Sequence, residues 1–137
     1  RGIAEPEAAA ETATVVVVDD DHQTGSLAAA YLKRLDAEVE VVVETDPRDA
    51  LARFETGGVD CVVSDYDMPV MDGLALLRAV REEDATTPFV LFTGTDDTTV
   101  AGRARDHGAE YLRKAGDAGG FDRLTARVEA VLAGDGD

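Results

Sequence analysis

The feature that most constrains the fold of this chain is the alternation of short apolar runs with segments of helical periodicity. The runs cover residues 15–18, 39–43, 61–63, 89–92 and 111–112. The first and fourth contain no polar residue, and such runs are typical of strands buried on both faces of a parallel sheet. A helix-period segment follows each run. The sequence therefore predicts five βα units in series.

Apolar residues repeat at intervals of three or four in the five segments between and after these runs. The positions that define the faces are Leu27, Tyr31 and Leu35; Ala50, Leu51 and Phe54; Leu74, Leu77 and Val80; Val100 and Ala104; and Phe121, Leu124, Val128 and Val131. Asp46-Pro47 is a helix-start signal and Gly57-Gly58 is a helix-stop signal. The pattern indicates an α/β fold, an open parallel sheet with right-handed crossovers and helices on both faces.

A length of 137 residues fits one domain of ordinary size. We expect this domain to cover residues 14–133. Residues 1–13 are mostly Ala and Glu without an apolar face, which predicts a disordered tail or linker remnant. Residues 134–137 are expected to form a flexible C-terminus.

Charge and composition exclude several classes of function. The formal net charge is −16, so the surface repels phosphate backbones and anionic lipid, which argues against direct nucleic-acid or membrane partners. The single cysteine, Cys61, excludes a disulfide framework and a cysteine-built metal site. No apolar run approaches the roughly 20 residues of a membrane helix, and no secretory signal opens the sequence. The expected location is the cytoplasm.

The acidic bias has a further pattern. Lys33 and Lys114 are the two lysines of the chain, arginine is far more frequent, and aspartate outnumbers glutamate. An Asp-rich, Lys-poor surface is similar to that of proteins from organisms with molar salt in the cytoplasm, such as a halophilic archaeon. Salt at 1 M reduces the Debye length to about 3 Å, which would screen the self-repulsion of this surface. The alternative is an ordinary acidic protein.

Polar residues follow four of the five predicted strands. Asp19, Asp20 and Asp21 follow the first, Asp65 and Asp67 the third, Thr93 the fourth, and Lys114 the fifth. Ligands of open α/β sheets bind outside the carboxyl ends of the strands. Clustered carboxylates require a cation or a raised pKa, and oxygen ligands without Cys or His suit Mg²⁺. A carboxylate beside Mg²⁺ can act as a nucleophile toward phosphorus.

Each of these residues also has an ordinary structural explanation. In so acidic a chain, solvated surface explains the run at 19–21 and the pair Asp96-Asp97. Thr93 could serve only as a helix cap, and Lys114 only as an ion-pair partner. Their occurrence at four strand ends favours a common site.

Four segments in order carry a resemblance to a known family. They are VVVVDDD at 15–21, VVSDYDMPVMDG at 62–73, FVLFTG at 89–94 and GAEYLRK at 108–114. Together they resemble the receiver domain of two-component response regulators over most of the chain. The resemblance implies a flavodoxin-like sheet of five parallel strands in the order 2-1-3-4-5.

The resemblance also implies roles for the acidic residues. Asp65 would accept the phosphoryl group, Asp20 would bind Mg²⁺ directly and Asp19 largely through water. Asp67 would offer its backbone carbonyl to the metal. The metal set implied by the resemblance is therefore Asp19, Asp20, Asp65 and Asp67.

The switch residues follow from the same resemblance. Thr93 would be the switch hydroxyl, Lys114 the phosphate-binding lysine and Tyr111 the rotating aromatic residue. One departure is Ala115, where the family usually has proline, often after a cis peptide. A cis bond without proline costs about 2.5–4 kcal/mol, which favours a trans peptide and a looser placement of Lys114. Three glycines, at 116, 119 and 120, add to the expected looseness of this loop.

The implied function is a phosphorylation-dependent signalling switch. A histidine kinase or a phosphotransfer protein would donate the phosphoryl group to Asp65, with Mg²⁺ as cofactor. The receiver would be an enzyme only in that it catalyses its own phosphorylation and dephosphorylation. The output would pass to a downstream protein or to an output domain outside this chain, and a homodimer through the fourth and fifth helices is a further expectation.

Two alternatives stay open at the level of the sequence. Asp65-x-Asp67 after a strand is similar to the haloacid-dehalogenase phosphohydrolases, although Met68-Pro69 follows and 137 residues leave no room for a cap domain. A non-catalytic interaction module of the same fold is the second, and the joint presence of all the site residues argues against it. An EF-hand is excluded because Pro69 and Val70 occupy positions where its loop requires a ligand and glycine.

Overall fold

A computed structural model describes residues 12–35, 38–114 and 118–134. The strands are β1 (Ala13–Val18), β2 (Val39–Glu44), β3 (Cys61–Ser64), β4 (Phe89–Thr93) and β5 (Glu110–Arg113). The helices are α1 (His22–Leu32), α2 (Pro47–Glu55), α3 (Gly73–Glu83), α4 (Thr98–Asp106) and α5 (Ala118–Leu132). All strand pairs are parallel in the order β2-β1-β3-β4-β5. The predicted fold class and strand order are confirmed.

The sheet separates two apolar layers. Val16, Val18 and Leu91 face a layer built with α2, α3 and α4. Val15 and Val17 face the opposite layer, which is built with α1 and α5. Because side chains alternate between the faces of a strand, an uninterrupted valine run supplies both layers at once.

Aspartates begin the first four helices. Asp21, Asp46, Asp72 and Asp97 each have extended backbone and accept hydrogen bonds from amides of the first turn. A side-chain oxygen at this position satisfies donors that have no partner within the helix. The start at Asp46 is as predicted, and Asp97, which is solvent-exposed as predicted, also caps a helix.

Helix α1 differs from the expected pattern. Leu27 is 47% exposed, and α1 ends at Leu32, before Leu35. The buried face consists instead of smaller residues and Leu32. A Cβ on Gly25 would lie 3.0 Å from Cγ1 of Val43, so the helix lies close to the sheet. Tyr31 and Leu35 do pack against the layer of α1 and α5, so the interval of four misplaces Leu27 alone. Glycine and alanine, which allow the close approach, carry little hydrophobic signal.

The loop after Lys114 is also shorter than expected. Helix α5 begins at Ala118, so Gly119 and Gly120 lie in its first turn, and Gly120 is buried. The prediction that these two glycines loosen the loop is therefore wrong. Ala115 and Gly116 lie outside the described residues, and the trans peptide after Lys114 stays a prediction.

The ends of the domain are described in part. Ala13 already pairs with Val39 in the sheet, one residue before the predicted boundary. Residues 1–11 of the predicted tail lie outside the described residues, and so do residues 135–137 of the predicted C-terminus. Among the helices of residues 12–35, 38–114 and 118–134, none combines the length and apolarity needed to cross a bilayer.

Candidate functional site

Strand order brings the polar residues to one edge of the sheet. β1 lies between β2 and β3, and β4 and β5 follow β3. The amide of Asp65 donates to the carbonyl of Val18 at 2.9 Å, which continues the ladder past the ends of β1 and β3. The residues after these two strands are therefore held side by side.

Three carboxylates form an acidic cluster, defined as Asp19, Asp20 and Asp65. One oxygen from each lies within 4.8 Å of the other two. Asp19 is buried, Asp65 half-buried and Asp20 exposed, so the cluster opens to solvent on one side. Three oxygen donors without Cys or His match the preference of Mg²⁺, and an open side suits an ion that retains several waters.

The run at 19–21 divides into three environments. The amide of Asp21 donates to Oδ1 of Asp19 at 2.9 Å, which orients that carboxylate. Asp21 itself caps α1, and hydrogen bonds from the Thr24 hydroxyl and from the amides of Gln23 and Thr24 lower its pKa. The alternative of a purely solvated run does not hold for Asp19, which is 4% exposed; Asp21 is exposed and also caps a helix.

Lys114, the residue after β5, contacts two of the three carboxylates of the cluster. Its Nζ donates to Oδ2 of Asp19 at 2.8 Å and lies 3.5 Å from Oδ2 of Asp65. Burial raises the pKa of Asp19, the ion pair with Lys114 opposes the rise, and the negative charge of Asp65 adds to it. The ammonium thus offsets part of the repulsion between two carboxylates that the fold forces together.

Asp65 is oriented by its own loop. Its Oδ1 accepts a hydrogen bond from the amide of Tyr66 at 2.7 Å, and its carbonyl accepts one from the hydroxyl of Ser64 at 2.7 Å. These bonds hold both the side chain and the backbone of Asp65, while its side chain stays 13% exposed. A reagent can therefore approach a carboxylate whose orientation is already set.

The loop between Asp65 and α3 packs closely. A Cβ on Gly73 would lie 2.3 Å from the carbonyl oxygen of Asp65 and 2.6 Å from Cδ1 of Leu91. Only glycine fits there without a shift of backbone. Asp67 is exposed on the same loop.

Thr93 and Tyr111 hold the loop after β4. Thr93 is 1% exposed, and its Oγ1 accepts a hydrogen bond from the amide of Thr95 at 3.2 Å. The Tyr111 hydroxyl donates to the carbonyl of Thr95. The backbone carbonyl of Thr93 accepts from the amide of Lys114 at 2.8 Å, which places the end of β4 beside the lysine. In this structure the Thr93 hydroxyl is hydrogen-bonded to the Thr95 amide of its own loop. The carboxylate of Asp65 is contacted instead by the Tyr66 amide and by Lys114.

Phe92 is a neighbour of the site that no sequence pattern indicated. Its ring lies below the ammonium of Lys114, with Nζ 5.7 Å from the ring centroid. A phenylalanine within an apolar strand reads as core, and its relation to Lys114 depends on the pairing of β4 with β5. No pattern of residue types carries that signal.

Comparison with known proteins gives a consistent match. A family model described as "Response regulator receiver domain" matches residues 15–129. The receiver domain of the Francisella response regulator 1452 superposes with a TM-score of 0.77 at 26% identity, covering 88% of this chain and 97% of that one. Chemotaxis protein CheY4 of Vibrio cholerae superposes with a TM-score of 0.73 at 29% identity, covering 85% and 98%.

Curated relatives are longer than this chain. Transcriptional regulatory protein TrcR of Mycobacterium tuberculosis is 33% identical over 119 residues, which cover 86% of this chain and 44% of that protein. C4-dicarboxylate transport transcriptional regulatory protein DctD of Pseudomonas aeruginosa is 38% identical over 109 residues, covering 77% of this chain and 22% of that protein. The chain therefore spans less than half the length of these two relatives.

Proposed function

The chain belongs to the response regulator receiver domain family, and from this premise we propose that Asp65 accepts a phosphoryl group from the phosphohistidine of a partner protein. The chain is a phosphorylation-dependent signalling switch of the two-component type. The observation that carries the assignment of Asp65 is its place in the acidic cluster, where its carboxylate is oriented by the Tyr66 amide and faced by Lys114.

The proposed reaction is an in-line displacement at phosphorus. A carboxylate oxygen of Asp65 attacks, a new O–P bond forms, and the P–N bond to the donor imidazole breaks. The electron pair of that bond returns to the imidazole nitrogen, and the acyl phosphate remains on Asp65. Lys114, as a point charge, would meet a phosphoryl oxygen, and the Thr93 hydroxyl would donate to another.

Mg²⁺ is the cofactor we propose. Asp20 and Asp65 would hold it directly with side-chain oxygens, Asp19 largely through water, and Asp67 with its backbone carbonyl. The ion, when bound, supplies charge neutralisation for the transferring group. The donor set supports this because all three clustered ligands are carboxylates.

We further propose that the switch acts through Thr93 and Tyr111. Thr93 would exchange its bond with the Thr95 amide for a phosphoryl oxygen. Because Tyr111 is bonded to the carbonyl of Thr95, a shift of this loop would free the ring to turn. The two states would differ in the position of the loop that leads into α4.

The partners proposed for this switch are proteins. A histidine kinase or phosphotransfer protein in the cytoplasm would be the donor, and a downstream protein or an output domain outside this chain would receive the signal. TrcR and DctD are named as transcriptional regulators and are much longer than the matched segment, which supports an output on a further domain. The domain itself would not contact DNA, because its net charge is −16. A homodimer through α4 and α5 is part of the same proposal.

The test uses a small phosphodonor such as acetyl phosphate with Mg²⁺. We expect intact-mass spectrometry to show one added phosphoryl group, which is lost in Asp65→Asn and retained in Asp60→Asn. Asp60 is a matched control because it lies at the opposite end of β3, where it accepts from the amide of Thr14. Labelling of Asp65→Asn at the wild-type rate would refute the assignment.

The alternatives from the sequence give different results in the same assay. A phosphohydrolase would release inorganic phosphate continuously from p-nitrophenyl phosphate, whereas a receiver would not turn that ester over. A non-catalytic module would show no labelling with any donor, in the presence or absence of Mg²⁺.

We also propose that the acidic surface is an adaptation to molar salt, as in halophilic archaea. A net charge of −16 on 137 residues supports this, since screening by salt removes the self-repulsion. We expect the melting temperature to rise steadily with KCl up to molar concentration. A melting temperature that is independent of KCl would contradict the proposal.

A further inference from the structure

The ammonium of Lys114 has three neighbours, two carboxylates and one aromatic ring. Asp19 accepts its hydrogen bond at 2.8 Å, Asp65 lies at 3.5 Å, and the ring of Phe92 lies below it with the centroid at 5.7 Å. The Lys114 side chain is 18% exposed, so water competes weakly for the charge. A cation within about 6 Å of a ring centroid is attracted by the negative face of the ring, and more strongly where it is shielded from water.

The ring of Phe92 is itself held in place. Phe92 is 2% exposed and packs edge-on against Phe121 of α5, with centroids 5.4 Å apart and planes at 70°. Phe121 in turn stacks on Tyr31 of α1 at 5.1 Å. Two helices therefore fix the orientation of the face that Lys114 meets.

We propose that Phe92 is a positioning residue for Lys114, which it holds at the acidic cluster through a cation–π contact. This inference rests on the proposed function, in which Lys114 meets the phosphoryl group. A lysine carries a point charge on a flexible four-carbon stem, so carboxylates alone do not define where the stem lies. The ring supplies a fixed surface for the ammonium that does not depend on either carboxylate.

The contact matters most when Lys114 changes partner. To meet a phosphoryl oxygen on Asp65, Nζ has to loosen its bond to Asp19, which is now the shorter of its two ion pairs. The face of Phe92 remains in place during this exchange. Lys114 thus stays desolvated and close to Asp65 while its hydrogen bond moves.

The first test compares two substitutions on one strand. Phe92→Leu removes the aromatic face, and Phe89→Leu makes the same change on the other side of β4, where Phe89 is equally buried in the opposite apolar layer. With acetyl phosphate and Mg²⁺, we expect Phe92→Leu to slow phosphorylation by between about twofold and tenfold. Phe89→Leu, at similar cost to packing, is expected to keep the wild-type rate, and equal slowing by both would overturn the proposal.

A fluorine series at position 92 separates the cation–π contact from packing. Successive fluorines on the ring weaken its negative face with little change in volume, so the phosphorylation rate should fall stepwise with their number. In a Lys114→Met background the same fluorines should have no further effect. A rate independent of fluorination in the wild-type background would overturn the proposal.

A third measurement does not depend on phosphorylation. The chain has two lysines, and Lys33 is exposed at the end of α1, so it provides an internal reference in NMR spectra of lysine side chains. Protons of Lys114 above the ring are expected upfield of those of Lys33, and this difference should vanish in Phe92→Leu. If the resonances of Lys114 and Lys33 coincide, the placement of Lys114 over the Phe92 ring is refuted even if Asp65 is phosphorylated. Conversely, an upfield Lys114 without labelling would refute the proposed function and leave the contact standing.

Discussion

Replacement of Gly73 by alanine tests how closely the loop of the phosphoacceptor is packed. The new Cβ would lie 2.3 Å from the carbonyl oxygen of Asp65, 2.6 Å from Cδ1 of Leu91 and 2.9 Å from Cα of Tyr66. An ordinary carbon–oxygen contact requires about 3.3–3.6 Å, so the carbonyl of Asp65 has to retreat by about 1 Å. Two of the three obstacles are backbone atoms, which cannot rotate away as the end of a side chain can.

The magnitude follows from these contacts. Overpacking of a tight site costs about 1–3 kcal/mol, and loss of the 2.8 Å hydrogen bond from the Gly73 amide to the Tyr66 carbonyl adds about 1 kcal/mol. We expect Gly73→Ala to lower the free energy of unfolding by about 2–4 kcal/mol. Because Asp65 is displaced as well, phosphorylation should slow on the order of a hundredfold.

Gly102→Ala is the matched control, since Gly102 lies within α4 and its added Cβ would meet nothing within 4 Å. The same substitution should there raise the free energy of unfolding by about 0.5–1 kcal/mol, because alanine is the better helix former. Urea unfolding at fixed KCl measures the free energy of unfolding of both variants. If the dependence of that free energy on urea concentration has the same slope in each, the midpoints can be compared directly. If Gly73→Ala unfolds at the wild-type midpoint and is labelled at the wild-type rate, the packing argument is refuted.

Three further predictions concern other parts of the domain. Burial raises the pKa of Cys61 to about 12, so the native thiol should resist iodoacetamide at neutral pH and be alkylated only through the unfolded fraction of the protein; fast alkylation would contradict this. Arg81 donates from Nε to the His107 carbonyl at 2.6 Å and ties α3 to the end of α4, so Arg81→Ala should cost about 1–2 kcal/mol while the exposed Arg78→Ala costs almost nothing in urea unfolding. Burial raises the pKa of Asp19 above its ordinary value of 3.8. This shift stabilises the folded state at a pH below 3.8, and the stabilisation is lost as the pH rises through the pKa of the folded protein. In EDTA, Asp19→Asn should therefore be more stable than wild type toward neutral pH and lose that advantage in acid. No gain at neutral pH would refute the reasoning on Asp19.

Much of the candidate site could be predicted because parallel strands all end at one edge of the sheet. Residues that follow such strands are brought near one another whatever the loops between them look like. The acidic cluster forms at the predicted positions for this reason. Its assigned roles in metal binding and phosphorylation remain proposals that the labelling experiment tests.

The weakest sequence inferences concerned surfaces without a strong hydrophobic signal. Leu27 was expected on the buried face of α1, yet the face that contacts the sheet contains Gly25 and two alanines. Asp97 is exposed as expected, and it also caps α4 with a hydrogen bond of 2.9 Å from the Thr99 amide. Composition alone does not show which exposed aspartate also begins a helix.

By itself, the sequence determined the alternation of strands and helices, the two-sided burial of the sheet and the polar residues at the strand ends. These features depend on local periodicity, which can be read from neighbouring positions in the sequence. The tertiary structure alone decided which groups meet across strands: the Asp19–Lys114 bond, the ring of Phe92 below the ammonium, and the carbonyl of Asp65 against Gly73. Such contacts join residues as far as 95 positions apart, and they depend on register and on the packing of helices against the sheet rather than on any local pattern.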